Sequence, residues 1–298
     1  MSDVAAPAPA PAFARLGTDV STARKMKDRA FTVGLWICGG LAMLPLLFIA
    51  TYVIERGLKA LSINFFLKTP GVPGQPGGGI AEAFVGTAII VGIMAVIAVP
   101  LGLLTAVYLS EYGRGWFAST VRFVAEILLS TPSIVAGAFI WAVVVVRLGA
   151  FSGFAAALAL CVLVWPIITR ATEEVLRLVP QELREGALAL GVPRWKVILR
   201  IVIPTAGAGI FTAVMLAMAR GLGETAPVLL TALGNSFMTT NAFGPMDSLS
   251  LRVYVDAQSS YTLDNVTAWA GAFCLLVIVL GLSIGARVIS ARQMRRTR

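Results

Sequence analysis

The chain of 298 residues is 58% hydrophobic and 13% charged, with a mean hydropathy of +0.86, which excludes a soluble globular domain and describes an integral membrane protein. Its net charge of +9 does not argue for nucleic acid, because membrane proteins gather Lys and Arg in the loops that stay inside. There is no His, which excludes a Ser-His-Asp or Cys-His nucleophile and any His-ligated metal; Cys38, Cys161 and Cys274 lie in apolar runs as small hydrophobes, with no disulfide framework implied.

Residues 1–30 alternate Ala and Pro from Ala6 to Pro11 and close on a basic run, a composition that cannot bury a core and predicts a disordered cytoplasmic tail. A crossing helix needs about 20 predominantly apolar residues. The first such run, 31–54, is too long for a signal-peptide core and is expected to stay as an anchor. An outer loop follows at 55–82, where Pro70, Pro73, Pro76 and Gly77 to Gly79 break any regular element. Apolar runs at 83–109, 123–146, 150–169, 206–233 and 266–289 bring the predicted spans to six, with a second long outer loop at 234–265. Pro100 and Pro166 are expected to kink their helices, and Gly281 and Gly285 make a small-residue pair suited to close helix approach. The organisation read from this is all-α: a tail (1–30), a first span with its outer loop (31–82), a core transmembrane domain (83–290) and a basic cytoplasmic tail (291–298).

With the N-terminus inside, 18 of the 24 Lys and Arg fall in inner segments and 5 in outer ones. That bias predicts a multi-pass protein of the cell membrane with both termini cytoplasmic.

Between the fourth and fifth spans lies a charged stretch, Glu185 to Pro204. The run from Gln181 to Leu190 is rich in helix formers and stops at Gly191-Val192-Pro193, a helix-ending pattern, before a second amphipathic piece runs on to Pro204. An interfacial helix anchored by its Arg and Trp residues is the plain physical reading. The residue order resembles the cytoplasmic signature of ABC importer permeases, in which Glu-Ala-Ala, three residues, Gly, nine residues, Ile, one residue and Leu-Pro form a coupling helix. Glu185, Ala187, Gly191, Ile201 and Pro204 match it at full spacing, while Gly186 replaces an Ala and Ile203 the Leu. The resemblance implies that a partner ATPase receives this helix, with Glu185 in polar contact, Leu188, Leu190, Val192 and Trp195 supplying apolar burial, and Gly191 the turn. Gly186 and Ala187 complete the coupling set. The chain has no Gly-Lys-Ser or Gly-Lys-Thr and so no P-loop, hence ATP and Mg are expected on the partner and no cofactor on this chain.

The fifth span carries two charges, Arg220 and Glu224, with Arg220 roughly 24 Å along the helix from Pro204 at about 1.5 Å per residue. A charge in that setting costs about 2.5–3.5 kcal/mol even on a lenient scale, and is tolerated when it faces a partner, the bundle interior or water. Four residues apart, the two share a helical face and form either a structural ion pair or a substrate-path site in which Arg220 meets an oxyanion. Ser130, Thr131 and Ser133 offer hydroxyls to such a path or to neighbouring backbone, and Glu126 sits near the inner end of its span.

The runs Ala219 to Pro227, Thr131 to Gly137 and Ser248 to Tyr254 resemble signatures of the PstA family of phosphate importer permeases, a likeness that covers most of the chain from about Glu82 onward. It implies the six-helix permease fold of type I ABC importers, and phosphate passage at Arg220, Glu224 and Thr225. It also implies partnership with a second, PstC-like permease, two copies of a PstB-like ATPase and an external PstS-like phosphate-binding protein, with no nucleic acid. The family usually has Pro where Ser250 stands. An importer of another solute such as molybdate, sulfate or a sugar is the alternative within the class; an ion-coupled carrier and an intramembrane enzyme are the alternatives outside it.

Overall fold

The computed structural model describes residues 22–296, and the chain divides into two units, 1–52 and 53–298. Helix α1 (Thr22–Ala60) begins inside the stretch expected to be a tail; residues 1–21 lie outside the described residues. From Thr22 the sequence lacks Gly and Pro until the apolar run begins, so an already nucleated helix extends through it at little cost. No residue of the first unit's described part is buried, and Phe31, Trp36, Leu41 and Phe48 are all exposed. A helix apolar on every face calls for lipid or protein around it.

In the second unit, α2 (Ile63–Leu67), capped by Ser62, occupies the loop that Pro and Gly were expected to keep irregular. Then come α3 (Ala81–Val107), extended by a π-helical turn at Tyr108–Tyr112, α4 (Gly115–Ser130), α5 (Ser133–Ile140), a second π turn and α6 (Val146–Leu148). They are followed by α7 (Gly153–Arg177), α8 (Gln181–Ala189), α9 (Arg194–Val197), a π turn at Ile198–Val202, and α10 (Ile203–Gly223). The last are α11 (Ala226–Ala232), α12 (Leu249–Ala257) and α13 (Thr262–Arg296), which runs through much of the expected basic tail. Among the described residues there is no strand, only one isolated bridge between Leu233 and Met246.

Among the described residues five helices are long and apolar enough to cross a membrane, and the pair Gly115–Ser130 with Ser133–Leu148, apolar enough together, is bent by 107° as a broken span or a re-entrant loop is. The continuous third span predicted at 123–146 is therefore corrected to two helices. Thr131 is extended, at φ −74 and ψ 131, because Pro132 disfavours the helical region for the residue before it. Pro100 and Pro166 lie inside α3 and α7, neither of which is broken at its proline. The fifth span also breaks: α10 stops at Gly223, Glu224 is extended, and α11 starts afresh with Pro227 in its first turn.

The core joins Ile90, Met94 and Ala98 of α3 to Leu160 and Val164 of α7 and Ala217 of α10. Small residues set the spacing. A Cβ on Gly221 would stand 2.8 Å from Val164 Cγ2, and one on Gly137 2.6 Å from the Pro227 Cα. Through that second approach α5 packs directly on α11, so the distal halves of the two broken spans support each other.

Candidate functional site

Arg220 occupies the last turn of α10, where a cation complements the helix dipole. Its side chain is 66% exposed, and its Nε lies 3.7 Å from Oε1 of Glu224, which is 18% exposed. The two do not share a helical face as predicted, because Glu224 lies past the helix end in the extended linker; the turn of the chain there brings its carboxylate back within ion-pair range. At 3.7 Å the attraction is electrostatic without a hydrogen bond, so the guanidinium keeps its directional donors for another acceptor. A guanidinium this exposed on an apolar span is stable only against water or a polar partner surface.

Three bonds hold the linker. Glu224 N donates to Gly221 O at 3.3 Å, Leu229 N donates to Thr225 O at 2.9 Å to begin α11, and Ser250 Oγ donates to Glu224 O at 3.0 Å. Thr225 is the half-buried N-cap residue of α11, its side chain making no capping bond. Ser250 was not read as a site residue. Its signal was a hydroxyl in the apolar run Leu249 to Leu251, at the position that departs from the family pattern.

The hydroxyls proposed to line a path divide differently. Ser130 donates to Glu126 O at 2.9 Å and Thr131 to Ile127 O at 2.8 Å, so both are bonded back into their own helix; Ser133 makes no such bond and is half-buried at the start of α5. The Glu126 carboxylate pairs with Arg170 at 3.3 Å.

At the opposite end of α10, the coupling stretch folds as its spacing predicted. Helix α8 ends at Ala189, Gly191 takes φ +76, and the amides of Gly191 and Val192 bond back to Leu188 O and Ala187 O. Only a residue without Cβ adopts that φ freely. Leu190 is 85% exposed, Trp195 56%, and Glu185, Gly186 and Leu188 are exposed as well. Ala187 is buried and Val192 half-buried, and both pack inward on the cluster of Leu176, Val179, Val197 and Val202, so they help seat the helix on its own chain.

A charged cluster that the sequence reading missed fixes this end. Glu173, 1% exposed, accepts from Arg122 at 2.8 Å, Arg170 at 3.0 Å and Arg177 at 2.6 Å, and Arg122 also donates to Leu109 O. Glu111 pairs with Arg184 of α8 at 3.0 Å, and its backbone carbonyl accepts from Arg194. Arg184 thus ties α8 to the end of α3 through Glu111 and to α7 through the Leu176 carbonyl, while Glu173 ties α4 to α7. In the sequence these carboxylates stand as Glu111 and Glu173 just beyond two apolar runs, while their arginine partners carry no local signature beyond the basic bias of inner segments.

At the other end, Arg252 of α12 pairs with Asp256 at 2.9 Å and stands 3.9 Å from Asp247. Burial raises the Asp247 carboxyl to about 6, against the lowering influence of the Ser248 N–H and Arg252; burial also raises Asp256, again opposed by Arg252.

The profile of a family described as binding-protein-dependent transport system inner membrane component matches residues 98–295. The chain is 46% identical over 242 residues to the phosphate transport system permease protein PstA of Xylella fastidiosa (strain Temecula1 / ATCC 700964), covering 80% of this chain and 84% of that one. It is 40% identical over 280 residues to PstA 1 of Mycobacterium tuberculosis (strain ATCC 25618 / H37Rv), covering 92% and 91%. Among solved structures, a bacterial alginate ABC transporter in complex with an alginate pentasaccharide-bound periplasmic protein superposes with a TM-score of 0.65 at 13% identity, covering 90% of this chain and 96% of that one. The inward-facing MetNI methionine ABC transporter superposes with a TM-score of 0.53 at 21% identity, covering 72% and 94%. At those identities the likeness is one of fold.

Proposed function

The chain belongs to the family of binding-protein-dependent transport system inner membrane components, among its PstA phosphate permeases, and from that premise we propose how its two sites serve an ATP-driven phosphate importer. It is the permease subunit of that importer, with the all-α fold of type I ABC permeases. Arg220 faces the translocation path where this chain meets a second, PstC-like permease, and binds the phosphate oxyanion through its free donors. Glu224 holds the guanidinium in place and competes with the anion for it when the helices move; Thr225 lies beside them at the start of α11.

Leu190, Trp195 and Glu185 form the surface that a PstB-like ATPase grips, with ATP and Mg bound there and not on this chain. Two copies of that ATPase and an external PstS-like phosphate-binding protein complete the assembly, and both termini of this chain are cytoplasmic. The observation that supports the path reading is Arg220 itself, two-thirds exposed on an apolar span and held at 3.7 Å by a single carboxylate. An uncharged solute gives no reason for that guanidinium. The test is to purify the chain with its partners in lipid and measure ATP hydrolysis with phosphate-loaded and phosphate-free binding protein. Stimulation by the loaded form alone supports the proposal, and equal stimulation by both contradicts it.

A further inference from the structure

We propose that the coupling-loop end of this chain carries a second anion site, a pocket for a phosphate group remote in sequence and fold from Arg220. A cavity of about 220 Å³ opens between the end of α3, the start of α4, the end of α7 and the coupling helix α8. Arg114, Arg177, Arg184 and Arg194 line it with Gln181, against a single carboxylate, Glu111.

The charges there are not balanced by the protein. Arg184 holds Glu111, while Arg177 shares Glu173 with Arg122 and Arg170. Arg194 lies 5.0 Å over the Tyr112 ring and donates to a backbone carbonyl rather than to a carboxylate. Arg114 has no ion pair among the described residues, and the Nε of Arg184 is buried without an acceptor. Guanidiniums crowded into so small a space repel one another until an oxyanion shares it.

One helix start adds to the positive potential. Helix α4 begins after Arg114 with no side-chain cap for its first N–H groups, whereas the start of α8 at Gln181 is offset by Glu182 in its first turn. The first turn of α4 has no acidic residue, and its N-cap residue is itself cationic. The neighbourhood of the pocket fits the membrane surface, since Trp116 and Phe117, two and three residues after Arg114, are exposed, as aromatic side chains at the headgroup level are. An apolar groove of about 430 Å³ lies nearby along α3, α4 and α7, lined by Tyr108, Phe117, Val121 and Trp165. A basic pocket beside an apolar groove takes an anionic phospholipid, headgroup in the arginines and acyl chain in the groove. Free inorganic phosphate offers the same oxyanion without the chain.

The test uses the assembled complex of this chain with its second permease and ATPase, carrying Arg220→Gln so that the path contributes no anion binding. That complex is compared with one also carrying Arg114→Gln and Arg177→Gln, both at exposed side chains. Phosphatidylglycerol retained after purification is counted by native mass spectrometry, and radiolabelled inorganic phosphate bound by the delipidated complex is measured by equilibrium dialysis. Loss of about tenfold in retained lipid assigns a lipid headgroup, and a similar loss in phosphate binding assigns free phosphate. Equal lipid retention together with equal phosphate binding in the two complexes overturns the proposal. Should the double substitution prevent assembly, Arg114→Gln alone, which breaks no ion pair, must lower one of the two readouts or the proposal fails.

Discussion

Ser250 donates its hydroxyl to the backbone carbonyl of Glu224 at 3.0 Å, so α12 is bonded directly to the break between α10 and α11. Arg252 follows two positions later and is anchored by Asp256, so a force on α12 reaches the linker beside Arg220 through one hydrogen bond. Replacing Ser250 with Ala removes about 1 kcal/mol of stabilisation and frees the linker. The expected outcome is slower phosphate uptake by membrane vesicles with unchanged assembly, restored by Ser250→Thr. Uptake by Ser250→Ala equal to wild type contradicts the latch.

Glu173 anchors three arginines at the coupling end, and one of them, Arg122, reaches it from 51 residues away. Glu173→Gln removes the buried carboxylate shared by three partly exposed arginines and leaves the guanidiniums to repel one another. A clear fall in the thermal midpoint of the purified protein is expected, larger than for Glu126→Gln, whose carboxylate is exposed and meets Arg170 alone. Equal midpoints for the two variants would argue against Glu173 as the anchor.

The number and rough position of the spans were legible because bilayer thickness dictates the length of an apolar run. Which proline breaks a span was not. Pro100 and Pro166 lie in helices packed densely on each other, whereas Pro132 follows an extended Thr131 and precedes Gly137, whose missing Cβ lets α5 seat on Pro227. That compensation is tertiary and has no local signature. Arg220 and Glu224 were legible as charges in an apolar run, but the linker that separates them depends on Ser250, whose contact is 26 residues distant. The coupling helix was legible from spacing down to the turn at Gly191, while its inward face, Ala187 and Val192, emerged only with the packing beneath it.

Asp247 provides a pH test at the α12 end. Its carboxyl is raised from 3.8 to about 6 by burial, so the folded protein binds this proton more tightly than the unfolded chain does. Its contribution to stability is therefore complete below about pH 4 and is lost as pH rises through about 6, a span worth about 3 kcal/mol. Asp247→Asn keeps an oxygen for the Ser248 N–H and removes the titration. The thermal midpoint of the variant relative to wild type should rise between pH 4.5 and 7; a pH-independent difference contradicts the assignment.

The exposed face of the coupling helix should be separable from its seat. Leu190→Asp places a charge on a side chain that touches nothing inward and should abolish copurification of the ATPase while leaving the thermal midpoint of the isolated chain unchanged. Ala187→Asp buries a charge among Leu176 and Val202 and should destabilise the isolated chain itself. Retention of the ATPase by Leu190→Asp would place the contact elsewhere.

Whether Arg220 meets phosphate in the translocation path is decided by phosphate uptake into proteoliposomes holding the complete complex, wild type against Arg220→Gln, at equal complex content. Glutamine keeps polar donors but removes the charge and the fork. Arg220→Gln is expected to lose uptake by at least about a hundredfold, the cost of about 2.7 kcal/mol for a lost charge-assisted contact, with the complex still assembled and still hydrolysing ATP. Uptake by Arg220→Gln at the wild-type rate would contradict that contact.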